Sequence, residues 1–159
     1  LLYFPYLMGE RCPLFDADAR GAFWGIDSTM DKGHFARAVL EGVAYSLRQV
    51  YDLTRSPDVG APEYIVVCGG GSKSGLWRQI LADVFQLPVC TTGGAAEGSA
   101  YGAALLAGVA GGFWHSTEEA AAQCRLLTRL EPCLERRDAY EKQYAHYCAL
   151  YRFMTNKER

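Results

Sequence analysis

Residues 65–83 constrain the fold more than any other part of this sequence. Ile65-Val-Val-Cys68 is a short apolar, β-branched run of the kind that forms a fully buried strand. Gly69, Gly70 and Gly71 stop it. Ser72 and Ser74 then stand as N-cap candidates for a helix over 75–85, where Leu76, Ile80, Leu81 and Val84 recur at helical spacing. A strand that runs through bare glycines into a capped helix points backbone N–H groups out of the positive end of a helix dipole. That suits an anion such as a nucleotide phosphate. The same glycines also fit a tight strand-to-helix turn that binds nothing, and the residues by themselves leave both readings open.

Around this unit the remaining elements fall into place. Residues 1–5 read as a strand, 6–20 as an unusually long loop that needs a reason, and 21–26 as a second strand. Ser28, Thr29 or Asp31 can cap a helix over 33–54, with Phe35, Val39, Val43, Leu47, Val50 and Leu53 near one face. A turn-rich connection covers 57–62. After the glycine unit come a strand over 88–92, the turn Gly93-Gly-Ala-Ala-Glu-Gly98, and a helix over 99–110. That helix is rich in small residues, which favour tight packing against a neighbour. Ser116 caps a short helix, 125–129 reads as a brief strand or an extended segment, and a last helix spans 135–154. In it Tyr140, Tyr144, Tyr147 and Tyr151 form one stripe, expected to pack in the core. Strands and helices alternate after residue 60, which predicts an α/β domain with a mixed sheet: parallel strands behind, an antiparallel pair in front.

Composition excludes several classes. The 159 residues suit one domain, burying roughly 68–70% of its unfolded surface. A net charge of −2 and the lack of a basic run give no electrostatic case for nucleic acid. No segment approaches the ~20 apolar residues of a membrane span. The six cysteines and three histidines are scattered, without metal-ligand spacing, which predicts a reduced, cytoplasmic protein with no structural metal. Cys68 and Cys90, in apolar runs, are expected to behave as small hydrophobes. The apolar start without an initiator Met suggests a piece of a longer chain.

Common phosphate loops do not fit. A P-loop would end correctly at Lys73-Ser74, but Val67 and Ser72 occupy its two glycine positions. A dinucleotide fingerprint starting at Gly69 needs glycine where Ser74 stands.

Five blocks together resemble another family. Gly21-Ala-Phe-Trp-Gly-Ile26, seven residues, then His34-Phe-Ala-Arg-Ala-Val-Leu-Glu41 is similar to the C-terminal signature of the FGGY carbohydrate kinases. Phe4-Pro-Tyr-Leu-Met-Gly-Glu-Arg-Cys-Pro13, residues 68–83, Leu87-Pro-Val89, and Glu97-Gly-Ser-Ala-Tyr-Gly-Ala-Ala-Leu-Leu-Ala107 follow the family order, most like xylulokinases. The resemblance implies an actin-like ATPase fold of ribonuclease-H type. It makes residues 1–159 the nucleotide-binding C-terminal domain, cut at its N-terminal edge. It further implies ATP and Mg²⁺ as cofactors, phosphoryl transfer to a sugar such as xylulose, an N-terminal domain as partner, and a homodimer as an assembly many relatives adopt. A non-catalytic regulatory module of the actin-like superfamily is the competing reading, and gluconate or ribulose are competing substrates.

Carried over, Gly69, Gly70 and Gly71 correspond to the adenosine motif, Ser74 to a position that reaches adenine, and Ser72 lies alongside. Lys73 meets phosphate or is simply solvated. Glu97 is expected to accept N–H bonds at the next helix, Ala100, Gly102 and Ala103 to let that helix pack closely in the interdomain hinge region, and Asp83 to serve structure. Glu10 and Arg11 face a cleft or pin their loop by pairing. In the family the catalytic aspartate and both phosphate loops lie outside these residues, so no catalytic residue and no metal ligand is nominated. Asp16, Asp18 and Asp27 need no catalytic explanation.

Overall fold

A computed structural model of the protein describes residues 1–55 and 60–155. In chain order its elements are β1 (Leu2–Phe4), β2 (Ala22–Trp24), α1 (Lys32–Thr54), β3 (Ile65–Val66), α2 (Gly75–Phe85), β4 (Val89–Thr92), α3 (Ser99–Ala110), α4 (Thr117–Ala121), β5 (Leu126–Leu130) and α5 (Arg137–Thr155). Residues 57–59 of the connection expected over 57–62 lie outside the described residues. The chain divides into two compact units: one holds Leu1–Ala61, Asp83–Phe85 and Cys133–Arg159, the other Pro62–Ala82 and Gln86–Pro132.

In the first unit, β1 and β2 pair antiparallel and α1 lies on β1. Asp31 is the residue that caps α1, accepting from the N–H groups of Gly33 at 2.9 Å and His34 at 3.1 Å. The buried face of α1 is not the expected stripe. Ala38, Gly42, Ala44 and Tyr45 are buried, whereas Val39, Leu47 and Leu53 are exposed. The reason is close approach: a Cβ on Gly42 would collide with the Tyr3 carbonyl, so the small residues set which face meets β1.

The tyrosine stripe of α5 supplies the rest of this core. Tyr147 is fully buried, stacks on Phe4 with centroids 4.8 Å apart, and shares a 2.7 Å hydrogen bond with the Tyr6 hydroxyl. Tyr140 accepts from Arg37 and donates to Glu41; Tyr144 donates to Asp52 and lies under the Arg48 guanidinium. Every hydroxyl of the stripe has a partner, so the aromatic surface is buried without orphaning a polar tip. Asp83 plays the expected structural part: fully buried, it accepts from the Cys133 N–H at 2.8 Å and from Arg136 at 3.2 Å.

The long loop of this unit is held from inside. Glu10 and Asp16 exchange backbone hydrogen bonds of 2.7 Å, and the buried Glu10 carboxylate accepts from the Leu14 N–H at 2.8 Å. Glu10 thus pins the loop through a backbone amide and not through Arg11, which is exposed. Met8, Gly9, Glu10, Arg11, Phe15 and Ala17 line an open groove of about 280 Å³. Asp16 also accepts from the Asp18 N–H, and Asp27 accepts from the Thr29 hydroxyl and N–H, which accounts for both carboxylates as turn-formers.

The second unit is built on a three-stranded sheet of order β3–β4–β5, parallel between β3 and β4 and antiparallel between β4 and β5. The mixed sheet is as expected; the buried strand is not. Central β4 carries the fully buried Val89 and Cys90, while β3 lies at an edge with Val66 and Cys68 exposed. Successive side chains point to opposite faces, so Ile65 and Val67 are half-buried on one face while Val66 and Cys68 are exposed on the other. α2 buries Ile80, Leu81, Ala82 and Val84, but Leu76 in its first turn is exposed. α2 is tied to the sheet where Arg78 donates to Thr128 and Gln79 donates to the Glu131 carbonyl. None of the residues of α3 is buried, and Ala100, Gly102 and Ala103 are exposed, so the close packing expected of them is not made among the described residues of this chain.

Candidate functional site

β3 and β4 run parallel, so the chain leaves both at the same edge of the sheet, and each exit is a glycine turn. Outside the carboxyl ends of parallel strands is where ligands bind in open α/β sheets. After β3 come Gly69 and a 3-10 turn, Gly70–Lys73; after β4 come Gly93, Gly94, a 3-10 turn, Ala95–Glu97, and Gly98. The two turns are joined directly. The Gly69 N–H donates to the Ala95 carbonyl at 2.6 Å, and a Cβ on Gly98 would lie 3.5 Å from the Gly69 nitrogen.

Gly69 adopts φ 75° and ψ −171°, a backbone region that only glycine populates freely. A Cβ at Gly69 or Gly70 would meet nothing within 4 Å, so bare backbone faces open space there. At Gly71 a Cβ would come within 3.1 Å of the Trp77 indole, a tight contact, so the ring packs close to this bare Cα.

The two serines divide the work. Ser72 is buried, and both its hydroxyl (2.7 Å) and its N–H (3.1 Å) donate to the Gly69 carbonyl, locking the turn. Ser74 is exposed and caps α2, its Oγ accepting from the Trp77 N–H at 3.2 Å. Gly69, Gly70, Gly71, Ser72 and Ser74 therefore lie together, with Ser72 turned inward. Lys73 is exposed. Glu97 is exposed and does not cap α3; Gly98 stands at the N-cap and no side chain caps that helix.

The sequence marks the second turn as a turn but nominates none of its glycines for the site. Gly93, Gly94 and Gly98 are as glycine-rich as the first turn and also follow a strand, which is the signal that could have found them. Their approach to Gly69 depends on strand pairing and is not visible in spacing. Among the described residues no group of three or more His, Cys, Asp or Glu side chains is arranged to hold a metal, and no helix is long and apolar enough to cross a membrane.

Residues 1–111 match the family model described as the C-terminal domain of the FGGY family of carbohydrate kinases. The chain belongs to the FGGY family. Its fold is accordingly the actin-like α/β type, a mixed sheet flanked by helices. A xylulose kinase of Staphylococcus epidermidis is 40% identical over 156 residues, which is 96% of this chain and 30% of that protein. A gluconokinase of Bacillus subtilis is 42% identical over 107 residues, 67% of this chain and 20% of that protein. Among solved structures, the ligand-bound xylulose kinase from Lactobacillus acidophilus aligns with a TM-score of 0.83 at 30% identity, covering 99% of this chain and 32% of that one. The FGGY chain thus spans about a third or less of the length of these relatives.

Proposed function

We propose that residues 1–159 act as the nucleotide-binding C-terminal domain of an ATP-dependent sugar kinase. The complete enzyme would transfer the γ-phosphoryl group of ATP to a hydroxyl of xylulose in the cytoplasm, where ATP is supplied. The observation that carries this reading is Gly70: bare backbone in the turn that follows a parallel strand, facing open space. Such backbone leaves room for the adenosine side of a nucleotide. In this reading Gly69, Gly70 and Gly71 lie against the adenosine, the Ser74 hydroxyl reaches the base, and Ser72 holds the turn. Lys73, exposed at the end of the Gly70–Lys73 turn, is a cation that a phosphate could meet.

ATP supplies the phosphoryl group, and Mg²⁺ offsets its charge. Transfer of this kind is mostly positioning plus electrostatic stabilisation, with a carboxylate orienting the attacking hydroxyl. We assign that carboxylate, the phosphate loops and the metal ligands to an N-terminal partner domain. The similarity to xylulose kinases over nearly the whole chain supports xylulose as acceptor. The gluconokinase relative of similar identity makes gluconate the second reading. A coupled ADP-release assay of the full-length protein against xylulose, ribulose, gluconate and glycerol decides between them. The highest kcat/KM is expected with xylulose; gluconate ranking first moves the assignment there, and no sugar-dependent ADP release at all favours a non-catalytic nucleotide-binding module.

A further inference from the structure

The second glycine turn is held by an aromatic ring. Gly94 has φ 78° and ψ 3°, and a Cβ placed on it would lie 2.5 Å from Cγ and 2.6 Å from both Cδ atoms of Tyr101. Near-equal distances to three adjacent ring atoms mean that the ring lies face-on against the bare Cα. Tyr101 is in the first turn of α3 and half-buried, and its N–H donates to the Gly98 carbonyl at 3.2 Å. One residue therefore braces both ends of the Gly93–Gly98 turn. That turn in its own right holds the first one, through the 2.6 Å bond from the Gly69 N–H to the Ala95 carbonyl and through the packing of Gly98 on Gly69. Gly69 is the residue whose unusual backbone angles aim the Gly70 peptide, and Ser72 closes on its carbonyl. The line of force runs from the Tyr101 ring through Gly94 and Ala95 to Gly69.

We propose that Tyr101 is a positioning residue for nucleotide binding and that the Gly93–Gly98 turn is the second wall of the site. By filling the space over Gly94, the ring keeps the Ala95 carbonyl on the Gly69 N–H and so keeps the Gly69–Gly71 backbone in the shape that receives the nucleotide. The contact is made by ring carbons, so the aromatic face is required and the hydroxyl is not. This inference rests on the nucleotide reading above.

The test uses the full-length kinase and compares wild type with Y101F, Y101A and G94A by calorimetric titration with ATP, steady-state kinetics and thermal melting. Y101F is expected to retain ATP affinity. Y101A is expected to raise Kd and KM for ATP about tenfold, while kcat and KM for the sugar stay within about twofold, the pattern of lost uniform binding. G94A, which displaces the ring and places alanine at positive φ, is expected to give the same split. Unchanged ATP affinity in folded Y101A overturns the inference. So do parallel rises in KM for both substrates, or loss of folding in both Y101A and G94A, since each marks a role in stability alone. A wild-type protein that binds no ATP refutes the nucleotide reading itself; an ATP-binding wild type with an unaffected Y101A refutes only the role of Tyr101.

Discussion

Gly70 offers a side-chain probe of the site that the folded chain tolerates. Nothing lies within 4 Å of its would-be Cβ, and its φ is not positive, so Gly70→Val has room in the protein and intrudes only on a ligand. Calorimetry on the full-length enzyme is expected to show ATP affinity lowered by at least about tenfold, or ~1.4 kcal/mol. Unchanged affinity in a folded variant removes the turn from the site. Asp83 makes the opposite case, a buried carboxylate whose work is structural. Asp83→Ala strands the Cys133 N–H and loses the Arg136 contact, and urea denaturation is expected to report a loss of about 1–3 kcal/mol with ATP affinity retained. The structural part of Asp83 was legible from its polar side chain at the end of an apolar helix. The inward turn of Ser72 was not, because a serine after glycines serves equally as cap, lock or ligand until its neighbours are placed.

At the scale of elements, the α5 stripe was read correctly because spacing at i, i+4, i+7 and i+11 fixes a common face whatever the helix packs against. Tyr144→Ala is expected to lower the melting temperature while leaving KM for ATP alone, since it removes the Asp52 bond and the Arg48 contact and touches no glycine turn. The reverse result would refute a core role. The stripe also predicts a response to alkali. Burial pushes Tyr6 and Tyr140 up to about 12 from an ordinary 10.0, so ionisation is easier in the unfolded chain. Their contribution is complete below pH 10 and is lost as pH rises toward 12. Melting temperature should hold steady through neutral pH and fall between pH 10 and 12; a flat profile across that window would exclude these hydroxyls. α1 and β3 show the limit of pattern reading. Apolar periodicity marked Val39, Leu47 and Leu53 as inward, yet Gly42 allows the closest approach and decides the face. In β3 an unbroken apolar run suggested burial on both sides, which only a central strand receives, and here that strand is β4.

For the whole molecule, the expectation that the site is shared with another domain is directly testable. Residues 1–159 alone should show no sugar-dependent ADP release, whereas the full-length enzyme should turn over at a typical kinase rate of about 1–100 s⁻¹. Turnover by the isolated chain would mean that a catalytic carboxylate lies within it. What the sequence determined by itself is local and ordered: a strand entering glycines and then a capped helix, the tyrosine face of α5, and five motif blocks in the FGGY order. Such features depend on near-neighbour chemistry and spacing, which the chain carries in any context. What only the tertiary structure decided is which surfaces and turns meet. Gly42 against Tyr3 chose the buried face of α1. Parallel pairing of β3 with β4 brought Ala95 to Gly69 across an intervening helix and strand, so that two glycine turns, separate in the sequence, are joined by a backbone bond with Tyr101 packed on the second.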